Sequence, residues 1–243
     1  MPTTATPHLT VFVPAFNEAE HLPHTLQQIL AALPKHVLAF EVIVVNDGST
    51  DNTSVIADEF AHQHACIQVI HHATNQGIGM GFVHAAQAAA GQWFILIPAD
   101  LAMKLEELPK YLDAAQHADI VVGHRNDRAD YSRFRKLVSW LNIGLIKILF
   151  RMEQQQFNYI SLYRTAILKK MSLRYTDSAL FFAEVLIRAK AQGYKLVNVW
   201  VDYVPREYGE ATGSNWRLIA RTVRDIIAFW LRWTLFGSHT PSC

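Results

Sequence analysis

"EVIVVNDGSTDNT", residues 41–53, decides the fold. Val42, Ile43, Val44 and Val45 are β-branched without a polar break, which suits a strand covered on both faces. Asn46-Asp47-Gly48-Ser49 ends the run with turn residues, and Asp51 or Ser49 starts a helix through Val55, Ile56 and Phe60. The same rhythm recurs on either side. LTVFVPA (9–15), IQVIH (67–71), WFILI (93–97) and DIVVG (119–123) are further apolar runs. Between them, Asn17 caps a helical pattern that places Leu22, Leu26, Ile29, Leu30 and Leu33 on one face. A small-residue helix runs from about Gly79 to Ala90, and another carries Leu105, Leu108, Tyr111 and Leu112. Alternating strands and helices predict an α/β fold with a mostly parallel central sheet flanked by helices. Ligands of such sheets bind beyond the carboxyl ends of the strands. Asn46-Asp47 and Pro98-Ala99-Asp100 leave strands two and four at that edge.

After Gly123 the rhythm changes. Residues 124–136, HRNDRADYSRFRK, are dense in arginine, and a helical pattern then runs to about Phe150. NYISLYR (158–164) reads as a further strand, and helical stretches follow near 165–171 and 176–192. Next come KLVNVWVDY (195–203), a polar loop PREYGEATGSN (205–215) and a last helix to about Phe236. The expected division is one domain over 1–213 with a C-terminal amphipathic helical appendage over 214–243.

Composition removes several classes of function. The 243 residues carry a formal net charge of +1, which gives no global pull toward nucleic acid. The two cysteines, Cys66 and Cys243, lack the C-x-x-C spacing of a zinc site, and a reducing cytoplasmic setting is expected. His71-His72 reads as a strand end rather than a metal site. The N-terminus lacks a basic region followed by an apolar stretch, and no uncharged apolar run reaches the ~18 residues of a spanning helix. NQGIGMG (75–81) fails the dinucleotide pattern G-x-G-x-x-G at Phe82 and follows the third strand rather than the first.

What remains is a set of polar residues spread over the strand ends. "VPAFNEAEHL", "VIVVNDGSTDNT", "NQGIGMG" and "PADL" resemble, in order and spacing, the nucleotide-sugar-binding half of family 2 glycosyltransferases, which have the GT-A fold. "ADIVVGHR" (118–125), "RKLVSWLNIG", "ISLYRTAIL" and "FFAEVLIRAKAQGYKLVNVWVDYVPREYG" extend the resemblance to the polyprenyl-phosphate sugar transferases, the dolichol-phosphate mannosyltransferase group. It covers about residues 9–213.

The resemblance implies an inverting hexosyltransferase that takes a GDP-mannose or UDP-glucose type of donor and a polyprenyl-phosphate acceptor. Pro14, Asn17 and Glu18 would line the base pocket. Asn46, Asp47 and Gly77 would join them around the donor, with Asp47 accepting from base or ribose. Arg125 and Arg135 would cradle the acceptor phosphate, since guanidinium forks match phosphate oxygens. Arg206 would lie on a mobile acceptor loop, and Arg164 matches a further family arginine. Asp100 would hold Mg²⁺ or Mn²⁺ on the donor diphosphate. Here the chain departs from the family, because Pro98 and Ala102 offer no side-chain oxygen where hard cations want it. The metal is therefore expected to be weakly held or dispensable, and a catalytically inactive relative is the alternative. Acceptors with a hydroxyl nucleophile would want a base, for which Glu184 is the candidate. The last helix mixes Arg217, Arg221, Arg224 and Arg232 with apolar and aromatic residues at helical spacing, which suits the bilayer interface. The expected placing is peripheral on the inner face of the cell membrane, with a homodimer or a membrane-protein partner as open options.

Overall fold

The computed structural model describes residues 8–101, 103–126, 133–202 and 216–236. Seven strands form one sheet: β1 (Leu9–Ala15), β2 (Phe40–Asp47), β3 (Ile67–His72), β4 (Trp93–Leu96), β5 (Ile120–Arg125), β6 (Ser161–Arg164) and β7 (Leu196–Val201). Eight α-helices accompany them among the described residues. They are α1 (Leu22–Ala32), α2 (Thr53–Gln63), α3 (Ile78–Ala88), α4 (Leu108–Ala115), α5 (Arg133–Phe150), α6 (Thr165–Lys170), α7 (Phe181–Ala191) and α8 (Trp216–Phe236).

Strand order is β3-β2-β1-β4-β6-β5-β7. β1, β2, β3 and β4 run parallel, as do β5 and β7, whereas β6 is antiparallel to both β4 and β5. The sheet is therefore mixed, and the stretch 158–164 supplies the reversal. Because β6 lies between them, the fifth strand is parallel to the fourth without touching it. Parallel alignment keeps the ends of β1, β2, β3, β4, β5 and β7 on one edge.

Alternate residues of each strand serve opposite layers. Val42 and Val44 meet Leu22, Leu26, Ile29 and Ala57 from α1 and α2. Ile43 and Val45 meet Phe82 and Ala85 of α3. Both faces of the sheet are covered, which explains the unbroken apolar run of β2. Phe82 sits at the centre of the α3 layer, with ring contacts to Phe12, Phe94, Tyr163 and Phe181 at centroid separations of 5.0–6.1 Å.

α8 belongs to this second layer. Ile226 and Phe229 are buried in it, and Phe229 stacks on Phe150 of α5 at 5.0 Å. Ser178 donates to Asp225 at 2.8 Å, and Arg221 pairs with Asp177. These ties occupy the segment before α7, so that helix starts at Phe181 rather than near residue 176. No helix of the described residues is long and apolar enough to cross a membrane.

Candidate active site

The chain leaves β1 toward β2 and β3 on one side and later returns to place β4 on the other side of β1. That reversal makes a crevice at the carboxyl ends of β1 and β4. Pro14 marks it. Phe12 accepts the last ladder bond on the β4 side, from Ile97 N–H at 2.9 Å. Alternation turns Pro14 to the same side, beyond the last pairing Phe12↔Leu96, where a missing amide costs no ladder bond.

Beyond β1 the backbone turns at Asn17, which has φ 55. Asparagine tolerates this left-handed conformation better than most residues. Asn17 does not cap α1 as its position in the sequence suggests, for α1 starts at Leu22 with His21 at the N-cap. Its side chain is used to tie the end of β1 to the turn after β2. Asn17 Oδ1 accepts from Thr50 N at 2.9 Å, and Asn17 N donates to Ser49 Oγ at 3.0 Å. Glu18 N donates to Thr53 Oγ1 at 2.9 Å and Ala19 N to Asp51 Oδ2 at 3.2 Å. The "PAFNEA" and "DGSTDNT" stretches are thus laced into one surface.

Asn46 and Asp47 are adjacent on β2, so they point to opposite faces of the sheet. On the α2 face, Asn46 Nδ2 donates to His71 Nδ1 at 3.1 Å, and His71 Nε2 reaches Asp58 at 3.0 Å. Asn46 Oδ1 accepts from Ser49 N at 3.2 Å, closing the turn. On the α3 face, Asp47 Oδ1 accepts from His72 Nδ1 at 2.6 Å and Gln76 N at 2.8 Å, while Oδ2 accepts from Gly77 N at 2.8 Å. His72 Nε2 in turn meets His84 Nδ1 of α3 at 2.8 Å. Burial pushes the Asp47 carboxyl up, but the bonds from Gln76, His72 and Gly77 outweigh it and hold the group below its usual range.

Two glycines allow this closeness. A Cβ on Gly48, at φ +72, would lie 2.6 Å from the Thr74 backbone. Gly77, at φ 85, turns the chain into α3. At their carboxyl ends β2 and β3 run on through polar residues and finish on the register pair Asp47↔His72.

Pro98, Ala99 and Asp100 follow β4. Ala99 O accepts from Thr25 Oγ1 of α1 at 2.5 Å, and Pro98 O accepts from Leu101 N at 3.0 Å. Leu101 takes φ 48, a conformation leucine rarely adopts, so backbone strain falls directly beside Asp100. Asp100 is the one side-chain carboxylate on this turn. Among the described residues no group of three or more His, Cys, Asp or Glu side chains is arranged to hold a metal. A single carboxylate still fits a small divalent cation whose remaining ligands are diphosphate oxygens and water.

Arg125 ends β5 at the same edge, and its carbonyl accepts from Gln156 Nε2 at 3.1 Å. Asn126 Nδ2 donates to Asp202 at 3.1 Å, and Lys104 approaches Asp202 at 3.9 Å. The segment after Asp100 is thereby joined to the ends of β5 and β7. Pro14, Asn17, Glu18, Asn46, Asp47, Gly77, Asp100 and Arg125 all lie on loops or strand ends of this one edge. Arg135 is on α5 with its side chain outside the described residues, and Arg206 lies wholly outside them.

Two other residues lie elsewhere. Arg164 ends the antiparallel β6 and so sits at the opposite edge, bonded to Asp119 at 3.1 Å and stacked over Trp93 at 4.6 Å. Glu184 is neither a surface charge nor a base poised in the crevice. It is fully buried, accepting from Arg174 N, Tyr175 N at 3.0 Å and Arg188 Nε at 2.8 Å. The sequence reading missed His72, His84 and the His71–Asp58 pair. The available signal was two histidines ending β3 in step with Asn46-Asp47 ending β2.

Known proteins resemble this chain in sequence and in fold. An undecaprenyl-phosphate mannosyltransferase of Micrococcus luteus is 27% identical over 213 residues, spanning 84% of this chain and 86% of the relative. An undecaprenyl-phosphate 4-deoxy-4-formamido-L-arabinose transferase of Proteus mirabilis is 29% identical over 217 residues, 87% of this chain. The match spans only 64% of that relative's length. Among solved structures, glucosyl-3-phosphoglycerate synthase of Mycobacterium tuberculosis aligns with TM-score 0.70 at 14% identity, over 91% of this chain and 79% of the other. A Pyrobaculum calidifontis mannosyltransferase in complex with GDP-Man and Mn²⁺ aligns with TM-score 0.65 at 18% identity, over 94% of this chain and 65% of the other. At these identities the structures establish the GT-A type of fold and nothing finer. Residues 10–188, most of the chain, match one family throughout, and the protein is a glycosyltransferase belonging to glycosyl transferase family 2.

Proposed function

We propose that this glycosyltransferase moves a hexose from a nucleotide sugar of the GDP-mannose or UDP-glucose type to a polyprenyl phosphate, inverting the anomeric centre. The observation that carries the reading is the lacing of the β1, β2 and β3 ends around Asn17 and Asp47, with Asp100 across the crevice. That edge offers amide, hydroxyl and carboxylate groups for a nucleoside on one side and a carboxylate for a diphosphate-bound cation on the other. The acceptor class is supported by the names of the Micrococcus and Proteus relatives, both undecaprenyl-phosphate transferases.

Pro14, Asn17, Glu18, Asn46 and Asp47 would bind the nucleoside, and Gly77 would set the turn that brings α3 to the diphosphate. Asp100 would hold Mg²⁺ or Mn²⁺ with the diphosphate oxygens, and a bound cation supplies positive charge for the departing group. With one carboxylate on the turn, most of its ligands come from substrate and water.

The acceptor phosphate is itself the nucleophile. It is largely ionised at neutral pH, so no protein base is required, and the burial of Glu184 takes it out of that role. Attack from the face opposite the diphosphate gives inversion. Arg125 and Arg135, with Arg206, would hold the acceptor phosphate in line. Residues 1–213 carry this chemistry. Residues 214–243 would rest on the cytoplasmic face of the membrane. On α8 the side chains Ile227, Leu231 and Leu235 are 44%, 44% and 73% exposed at i, i+4 spacing, and Arg224 and Arg232 are exposed nearby.

Thermal unfolding against GDP, UDP, ADP and CDP, each with and without Mn²⁺, tests the donor half. A ligand at 100 times its Kd raises stability by about 2.7 kcal/mol. A rise with GDP or UDP supports the reading, and a flat response to all four contradicts it.

A further inference from the structure

Resting on the donor site proposed above, we propose that His72 is a positioning residue for the donor, acting through Asp47 and the Gly77 turn. Asp47 as a carboxylate only accepts, so His72 Nδ1 donates across the 2.6 Å contact. On its other side His72 Nε2 meets His84 Nδ1 at 2.8 Å, a contact that holds the ring whichever nitrogen donates. The two rings meet edge to face, 4.9 Å apart at 86°. His72 is held on both nitrogens and its side chain is 4% exposed, leaving little room to rotate.

The consequence falls on Asp47. Its carboxylate is gripped from β3 by His72 and from the following loop by Gln76 N and Gly77 N. Those two amides immediately precede α3, and His84 is on α3 itself. His72 therefore joins β2, the loop after β3 and the body of α3 into one rigid unit. A diphosphate subsite gains most from dipoles held in place before the ligand arrives. His71 supplies the contrast. Its side chain is 41% exposed and serves Asn46 and Asp58 on the other face, away from the Gly77 turn.

Three variants of the full chain separate this role from a purely structural one. His72→Asn keeps an N–H where Nδ1 stood. His72→Gln moves the amide toward Nε2 and gives up the bond to Asp47. His72→Ala removes both bonds. Calorimetric titration with GDP and with UDP, in Mn²⁺, is expected to show Kd about tenfold weaker for His72→Gln and His72→Ala. That corresponds to roughly 1.4 kcal/mol, and His72→Asn is expected within about threefold of wild type on the same scale. Donor KM should rise with Kd while kcat stays near wild type. Folded His72→Gln with an unchanged Kd would overturn the inference, even if its melting temperature fell. Wild-type protein gives a second readout that needs no variant to fold: the ¹⁵N-labelled His72 Nδ1–H resonance must move when nucleoside diphosphate is added, and an unmoved resonance also overturns it. Absence of GDP and UDP binding by the wild type is a different failure, because it removes the donor site itself.

Discussion

Replacing Asp47 by Asn removes a negative charge and turns one of two acceptor oxygens into a donor. In the native site Oδ1 serves His72 Nδ1 and Gln76 N, and Oδ2 serves Gly77 N. The best rotamer of Asn keeps its carbonyl toward His72 and Gln76 and turns Nδ2 against the Gly77 N–H. One half-buried donor then loses its partner, at about 1–3 kcal/mol. The two surviving bonds lose charge assistance, at roughly 1 kcal/mol each. The sum is about 3–5 kcal/mol at neutral pH, a large share of the stability of an ordinary domain. The pH dependence follows from the lowered carboxyl of Asp47. A group depressed in the folded state contributes fully above its unfolded value, ~3.9 for Asp, and its contribution disappears as pH falls through the folded value. Urea unfolding of wild type and Asp47→Asn at pH 7, and at steps below pH 4, measures both quantities. A difference under about 1 kcal/mol at pH 7, or one that stays constant into acid, would refute the reasoning.

Other expectations follow from the same geometry. Glu184→Ala leaves Arg188 and the amides of Arg174 and Tyr175 without their buried acceptor; it should cost about 3–5 kcal/mol in urea unfolding. Asp100→Asn should abolish any effect of Mn²⁺ on nucleoside diphosphate affinity, as read by titration with and without EDTA. Leu231→Glu with Leu235→Glu, both at exposed sites on α8, should release the protein from anionic vesicles in a flotation assay without altering its unfolding midpoint.

The fold was legible because β1, β2 and β4 are largely apolar on both faces, as a parallel sheet with two helical layers requires. The β6 reversal was less so, since four residues of strand inside 158–164 carry no sign of direction. The edge that holds the site could be read from Asn46-Asp47 and Pro98-Ala99-Asp100. What each polar residue does there could not. Asn17 in a helical frame looks like a cap, yet its positive φ and its bond to Thr50 come from contacts 33 positions away. Glu184 in a helical frame looks like a surface charge, because nothing in FFAEVL announces that two amides of the preceding loop will turn inward to meet it. His72 and His84 are separated by a loop and nearly two helical turns, so only the register Asp47↔His72 brings His72 to the carboxylate and His84 behind it.

Transfer itself is the most direct measurement. Purified full-length protein is incubated with GDP-[¹⁴C]mannose or UDP-[¹⁴C]glucose, Mn²⁺ and vesicles containing undecaprenyl phosphate, and the organic phase is counted. The account predicts label in a lipid-linked, acid-labile sugar phosphate from one of the two donors, dependent on the polyprenyl phosphate. Label that stays with the nucleotide, or appears only as free sugar whether or not the lipid is present, would contradict it.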